Sequence, residues 1–102
     1  MLWRVRHGRQ LIWMNRRMED YFDGTDRSQW VHPHDRASLS AAWDRAERND
    51  ASFHHSHRLR DANGVYRWHV VTWDPRRNKA GTVEEWVGIA TDIHDMHLAA
   101  EA

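Results

Sequence analysis

The stretch ASFHHSHRLRDANGVYRWHVV, residues 51–71, carries four of the chain's nine histidines and decides what kind of domain this is. From Ser52 onward the side chains alternate with a period of two. Phe53, His55, His57 and Leu59 share one face, and His54, Ser56, Arg58 and Arg60 share the other. That period is a strand's. DANG, residues 61–64, is turn chemistry, because Asn63 and Gly64 tolerate left-handed backbone. VYRWHVVTWDP, residues 65–75, reads as a second strand broken by Pro75. Together they make an antiparallel hairpin, with a register that the turn residues alone leave open. One residue of slip exchanges His69 for Trp68 or Val70 on the inward face.

The reading extends outward in both directions. RRNKAG, residues 76–81, is a loop, and TVEEWVGIATDI, residues 82–93, is a third strand. In DIHDMHLAAEA, residues 92–102, Asp92 is placed as the N-cap of a new helix and Asp95 lies in its favourable first turn. Ile93, Met96, His97 and Ala100 run along one side of that helix. Upstream, RASLSAAWDRAERND sets Leu39, Ala42, Trp43 and Ala46 on one stripe of an amphipathic helix. RRMEDYFDG adds a shorter helix through Met18, Tyr21 and Phe22, stopped at Gly24. At the start, Leu2 to Val5 and Leu11 to Met14 flank RHGRQ, where Gly8 supplies the positive φ of a tight turn. Two strands, two helices, then three strands describe an α+β domain with an antiparallel sheet.

Composition narrows the function. At 102 residues there is room for one core and one domain. Lys plus Arg and Asp plus Glu are both 15, so no excess basic field attracts a nucleic-acid backbone or an anionic membrane. Without cysteine there are no disulfides, thiolate metal sites or cysteine nucleophiles, which agrees with a cytoplasmic location. No apolar run approaches the roughly 18 residues of a membrane span, so a soluble chain is expected. Seven tryptophans supply much burial per residue for a small core.

Four stretches in order carry a family resemblance. LIWMN (residues 11–15) with the short helix after it, WVHPHD (30–35), the hairpin pattern of Phe53, Arg58, Arg60, Gly64 and Tyr66-Arg67-Trp68, and WVGIATDIHD (86–95) together resemble the PAS family of sensory domains, in the variety that ends in a PAC segment. The resemblance implies a five-stranded antiparallel sheet with short helices over one face and a C-terminal exit helix. It divides the chain into a sensory domain, 1–92, and the start of a linker helix, 93–102. It also implies a bacterial signalling module that binds a small ligand or dimerises to regulate an attached histidine kinase or cyclic-dinucleotide enzyme. The segment between Asn15 and Trp30 is shorter than the family's usual one, so a shallow cavity is expected. The cofactor stays undefined, and with no cysteine a flavin-adduct light sensor is excluded.

The ligand-pocket candidates are His55, His57, Leu59, His69, Val71, Trp73 and Ala90, with Asp92 and Ile93 as the signal-coupling junction. No catalytic or metal site is assigned. In WVHPHD, Pro33 fixes the chain's approach and Asp35 is expected to cap the helix beginning near Arg36, since nothing nearby supplies a nucleophile or paired carboxylates. Arg58 and Arg60 are expected to be solvated or paired with Glu84, Glu85 or Asp92. The resemblance puts His69 inward beside His55 and His57, so the imidazoles bind a metal, as a zinc triad, or haem in one reading and line a polar, ligand-facing or water-filled pocket in the other. The second is preferred, because no inward carboxylate is present to orient the rings. An apolar outer sheet face is expected to receive a helix or a second subunit in a homodimer.

Overall fold

The computed structural model describes residues 1–101. Five strands, β1 (Leu2–Arg6), β2 (Gln10–Met14), β3 (Phe53–Arg60), β4 (Tyr66–Arg77) and β5 (Val83–Asp92), form one antiparallel sheet in the order β2-β1-β5-β4-β3. Three helices accompany it: α1 (Arg16–Tyr21), α2 (Arg36–Asn49) and α3 (His94–Glu101). Short 3-10 turns at Arg27–Gln29 and Pro33–Asp35 lead into α2. This is the α+β architecture that the order of periods predicts.

Local chemistry explains each boundary. Asn15 caps α1 by accepting from the Met18 N–H, and Asp50 ends α2 in left-handed backbone at φ 48°. Gly8 and Arg9 both take positive φ in the β1–β2 turn, which makes the reversal tight. In the β3–β4 turn Asp61 accepts from the N–H groups of Asn63 and Val65, and Gly64 supplies φ 81°. The turn sets Phe53 opposite Trp73 and His57 opposite His69. The inward set is therefore the one in which His69 and Val71 face the helices, and both are buried.

Between the sheet and the helices the core is largely aromatic. Trp3, Trp73, Trp86, Trp43 and Phe22 are buried with Val5, Met18 and Val71. Trp3 meets Trp73 edge to face at 5.0 Å, and Trp43 lies 4.6 Å from Trp73 and 5.2 Å from Trp86. These are favourable geometries for rings with negative faces and positive edges. The rings fit only because β5 has no side chain at Gly88. A Cβ there would lie 2.5 Å from Trp3 and 2.7 Å from Trp73.

Three expectations are corrected. Pro75 does not break β4, which continues to Arg77 and pairs Pro75 with Trp86. Past Trp73 the strand has no β3 neighbour, and on such an edge a missing N–H is tolerated. Asp35 makes no side-chain cap to α2. Instead its carboxylate accepts from Arg58 three times, from N at 2.8 Å, Nε at 3.0 Å and Nη2 at 2.8 Å. The guanidinium engages both carboxylate oxygens with opposite charge, which a backbone N–H at a helix start does not, and the pairing ties α2's entry to β3. Arg58 is thus half-buried against Asp35, with its guanidinium 4.9 Å from the Trp68 ring, and Arg60 donates to Gln29 at 2.6 Å. Neither pairs with the partners expected. Glu85 holds Arg4, and Asp92 holds Arg67.

Candidate ligand cavity

A cavity of about 160 Å³ lies between the inner face of the sheet and the helices. Val71 and Trp73 of β4 and His57 and Leu59 of β3 form its sheet side. Met18 and Phe22 close it from α1 and the residue after it, and Leu39 and Trp43 from α2, while Arg9 and Arg27 are among the remaining lining residues. An apolar cavity near 150 Å³ takes a benzene-sized guest, whereas drug-sized ligands occupy roughly 300–1,000 Å³. The volume fits a small molecule and agrees with the shallow cavity that the short Asn15–Trp30 segment predicts.

The candidate residues divide among three places. His57, Leu59, Val71 and Trp73 line the cavity. His55 borders a separate groove against Ala42, Arg45 and Asn49 of α2. His69 and Ala90 face a depression at the other end of the sheet, with Tyr21, Arg17 and Asp92. Sequence reading missed Arg9, Arg27, Met18, Phe22 and Leu39. The apolar members were visible as helical stripes, which mark a buried side without saying whether it meets protein or a void. Arg9 and Arg27 stand in turns, where periodicity carries no signal.

The imidazoles form a chain of hydrogen bonds. Ser38 Oγ meets His55 Nε2 at 2.9 Å, and His55 Nδ1 meets His57 Nδ1 at 3.0 Å. One ring of that pair donates the single proton between the two nitrogens and the other accepts it, so neither Nδ1 is free to bind a metal. His69 Nδ1 donates to the Arg67 carbonyl at 2.9 Å, which places its proton on that nitrogen. Among the described residues no group of three His, Cys, Asp or Glu side chains is placed to hold a metal ion.

Burial dominates the electrostatics. It pushes His57 down to about 4, with the neighbouring His55 acting in the same direction, and also lowers His55 and His69. These rings are neutral near pH 7. Tyr21, donating to the Leu59 carbonyl at 2.9 Å, is pushed up by burial and by the charges of Asp61 and Asp92. Asp35 falls to about 2, chiefly through its bonds from Arg58.

At the end of β5, Asp92 accepts from Arg67 Nε at 2.7 Å and from the His94 N–H at 2.9 Å. It thereby satisfies a first-turn donor of α3 while it pairs with a sheet arginine, whose bond holds it below the usual carboxylate range. The Ile93 N–H bonds the Trp68 carbonyl, and His97 of α3 stacks on the Trp68 ring at 4.2 Å. The last helix is therefore fixed to the outer face of β4. No helix of the described residues is long and apolar enough to cross a membrane.

The fold that frames this cavity has known counterparts. A family model described as the PAS fold matches residues 9–90. The chain belongs to the PAS fold family. The N-terminal domain of a diguanylate cyclase with a PAS/PAC sensor from Marinobacter aquaeolei superposes on this PAS domain with a TM-score of 0.80 at 17% identity, over 94% of this chain and 96% of that one. A sensory box histidine kinase/response regulator from Burkholderia thailandensis gives 0.73 at 23% identity, over 98% and 81%. In sequence, the PAS domain is 29% identical over 96 residues to a peroxide stress-activated histidine kinase of Schizosaccharomyces pombe, a match covering 88% of this chain and 6% of the kinase. Histidine kinases and a diguanylate cyclase thus carry domains of this kind.

Proposed function

We propose that this PAS domain is a non-enzymatic sensory module that binds one small ligand in the cavity and conveys occupancy to an attached output domain, a histidine kinase or cyclic-dinucleotide enzyme. The observation that carries the reading is the cavity itself. Its wall joins α1 and α2 to β3 and β4, so a guest's contacts reach β4, whose Arg67 and Trp68 bond the Asp92–Ile93 junction. In this reading residues 1–92 sense and 93–102 begin the linker, within a bacterial cytoplasmic protein. His57, Leu59, Val71 and Trp73 contact the ligand, while His55 borders the groove against α2 and His69 and Ala90 the depression beside Tyr21.

Native mass spectrometry of the freshly purified chain, with benzene or xenon supplied as probes, tests it. A stoichiometric small guest, or a melting temperature raised by the probes, is expected. Neither appearing would replace sensing with a pure interaction module. A homodimer through the outer sheet face is a compatible second feature, supported by the exposure of Trp13 at 43% and Ile89 at 47%. The subunit count from the same spectra checks it.

A further inference from the structure

We propose that the cavity takes a small organic carboxylate, with its apolar body among the aromatic rings and its carboxylate against the guanidinium of Arg27. The inference rests on the cavity being a ligand site and goes further by assigning the ligand's charge and class. Three lining side chains are able to carry charge: Arg9, Arg27 and His57. No carboxylate lines the cavity among the described residues. His57 is kept neutral by burial. Arg9 is already neutralised, pairing with Asp44 at 2.6 Å and with Glu47, and lying over the Trp43 ring.

Arg27 is the exception. Its only acceptor among the described residues is the neutral carbonyl of Arg9, reached by Nη2 at 2.9 Å, and a guanidinium has five N–H donors to place. Arg4, Arg9, Arg58 and Arg67 each face a carboxylate that raises their pKa, whereas none faces Arg27. An exposed guanidinium that no carboxylate pairs, standing at the edge of an apolar cavity, is placed to receive a ligand's anion. A second donor agrees. The indole N–H of Trp73 is buried without an acceptor, and Trp73 lines the same cavity. A pure hydrocarbon would leave the buried indole N–H unmet and the Arg27 guanidinium without an anion, and an inorganic anion would leave the aromatic lining empty. An organic carboxylate satisfies both.

The test is calorimetric titration of the 102-residue chain with benzoate and, separately, with its neutral isostere benzamide, for wild type, Arg27→Gln and the exposed control Arg16→Gln. Benzoate is expected to bind at least roughly tenfold more tightly than benzamide, the least that one charge-assisted hydrogen bond is worth. The preference should vanish in Arg27→Gln, persist in Arg16→Gln, and be accompanied by a shift of the Trp73 indole N–H resonance. Equal binding of both probes, or a preference that survives Arg27→Gln, overturns the carboxylate assignment while leaving the cavity a ligand site. Binding of neither probe overturns the assignment together with the reading beneath it. A Leu39→Phe variant that folds, checked by near-ultraviolet dichroism, should lose benzoate by filling the cavity; retained affinity would place the anion elsewhere and also overturn the proposal.

Discussion

Two ends of one inner sheet face are built from different materials. Around Gly88, the rings of Trp3, Trp73, Trp43 and Trp86 interlock at centroid separations of 4.6 to 5.2 Å. Toward the end of β5, the same alternation places His57 and His69 inward, each 2% exposed, beside Tyr21 and below Asp92. Both ends obey a period of two and both are buried. They differ in what burial does. At the tryptophan end it removes apolar surface from water and stabilises at every pH. At the histidine end it disfavours the charged form, so stability there is conditional on protonation. Packing strength and pH sensitivity are therefore separable within a single face, and substitutions at each end should have different signatures.

The largest effect is expected from Trp73→Ala. Trp73 contacts three other aromatic rings and lines the cavity, and truncating a buried tryptophan costs about 3–5 kcal/mol. Urea unfolding should show that loss equally at pH 5 and pH 7.5. A loss that depended strongly on pH would break the separation of the two ends.

Next comes acid itself. The unfolded chain protonates His57 below about 6.5, while the folded ring stays neutral until about pH 4. The unfolded state therefore binds more protons in that interval, and stability falls as pH drops from 6.5 to 4, by on the order of 3 kcal/mol from this residue. Asp35 acts in a lower window. Its folded value of about 2 lies under the ordinary 3.8, so its contribution is present above 3.8 and is lost between 3.8 and 2. Urea midpoints across pH 4 to 7 for wild type and His57→Leu should show a clearly flatter slope in the variant. Identical slopes would mean that the ring titrates as if exposed.

Gly88→Ala sharpens the comparison from the tryptophan side. Its new methyl would meet Trp3 and Trp73 inside contact distance, and overpacking of this kind costs about 1–3 kcal/mol. Thermal melting should drop, and pairing the substitution with Trp3→Leu should recover part of the loss. Strict additivity would show that the rings are not what excludes the methyl.

The fold was legible because period, turn chemistry and family pattern all pointed one way: Phe53 to Leu59 alternate, Asn63 and Gly64 turn, and Leu39 to Ala46 form a stripe. The site was only partly legible. Inwardness of His57, Val71 and Trp73 follows from alternation, but which inward residues meet a void depends on where α1 and α2 lie. Thus His55, on the same stripe, borders a different groove. Arg27 was invisible as a lining residue because it stands in a turn, where periodicity carries no signal, and Asp35 does not cap α2 because its carboxylate is taken by Arg58, which is distant in sequence. A short-range rule does not weigh a long-range competitor.

The smallest effect tests the junction above the histidine end. Asp92 does two things that separate by chemistry: the oxygen of an amide, like that of a carboxylate, accepts from the His94 N–H, but only a carboxylate forms an ion pair with Arg67. Both side chains are substantially exposed, at 40% and 34%, so the ion pair is worth little. Asp92→Asn should therefore be nearly neutral. Asp92→Ala removes the acceptor as well and should cost on the order of 1 kcal/mol, the usual magnitude for a lost helix-start acceptor. The loss should be concentrated in α3, where hydrogen exchange at the His97 N–H, bonded to the Ile93 carbonyl at 2.7 Å, reports it directly. Faster exchange at His97 with β4 amides unchanged would mark Asp92 as the fastening of the terminal helix. Equal effects of Asn and Ala would assign that fastening to the charge of Arg67 instead. In a full-length parent, Asp92→Ala should weaken coupling between sensing and output more than it weakens folding, and a variant with a normal response would remove the junction from the signalling route.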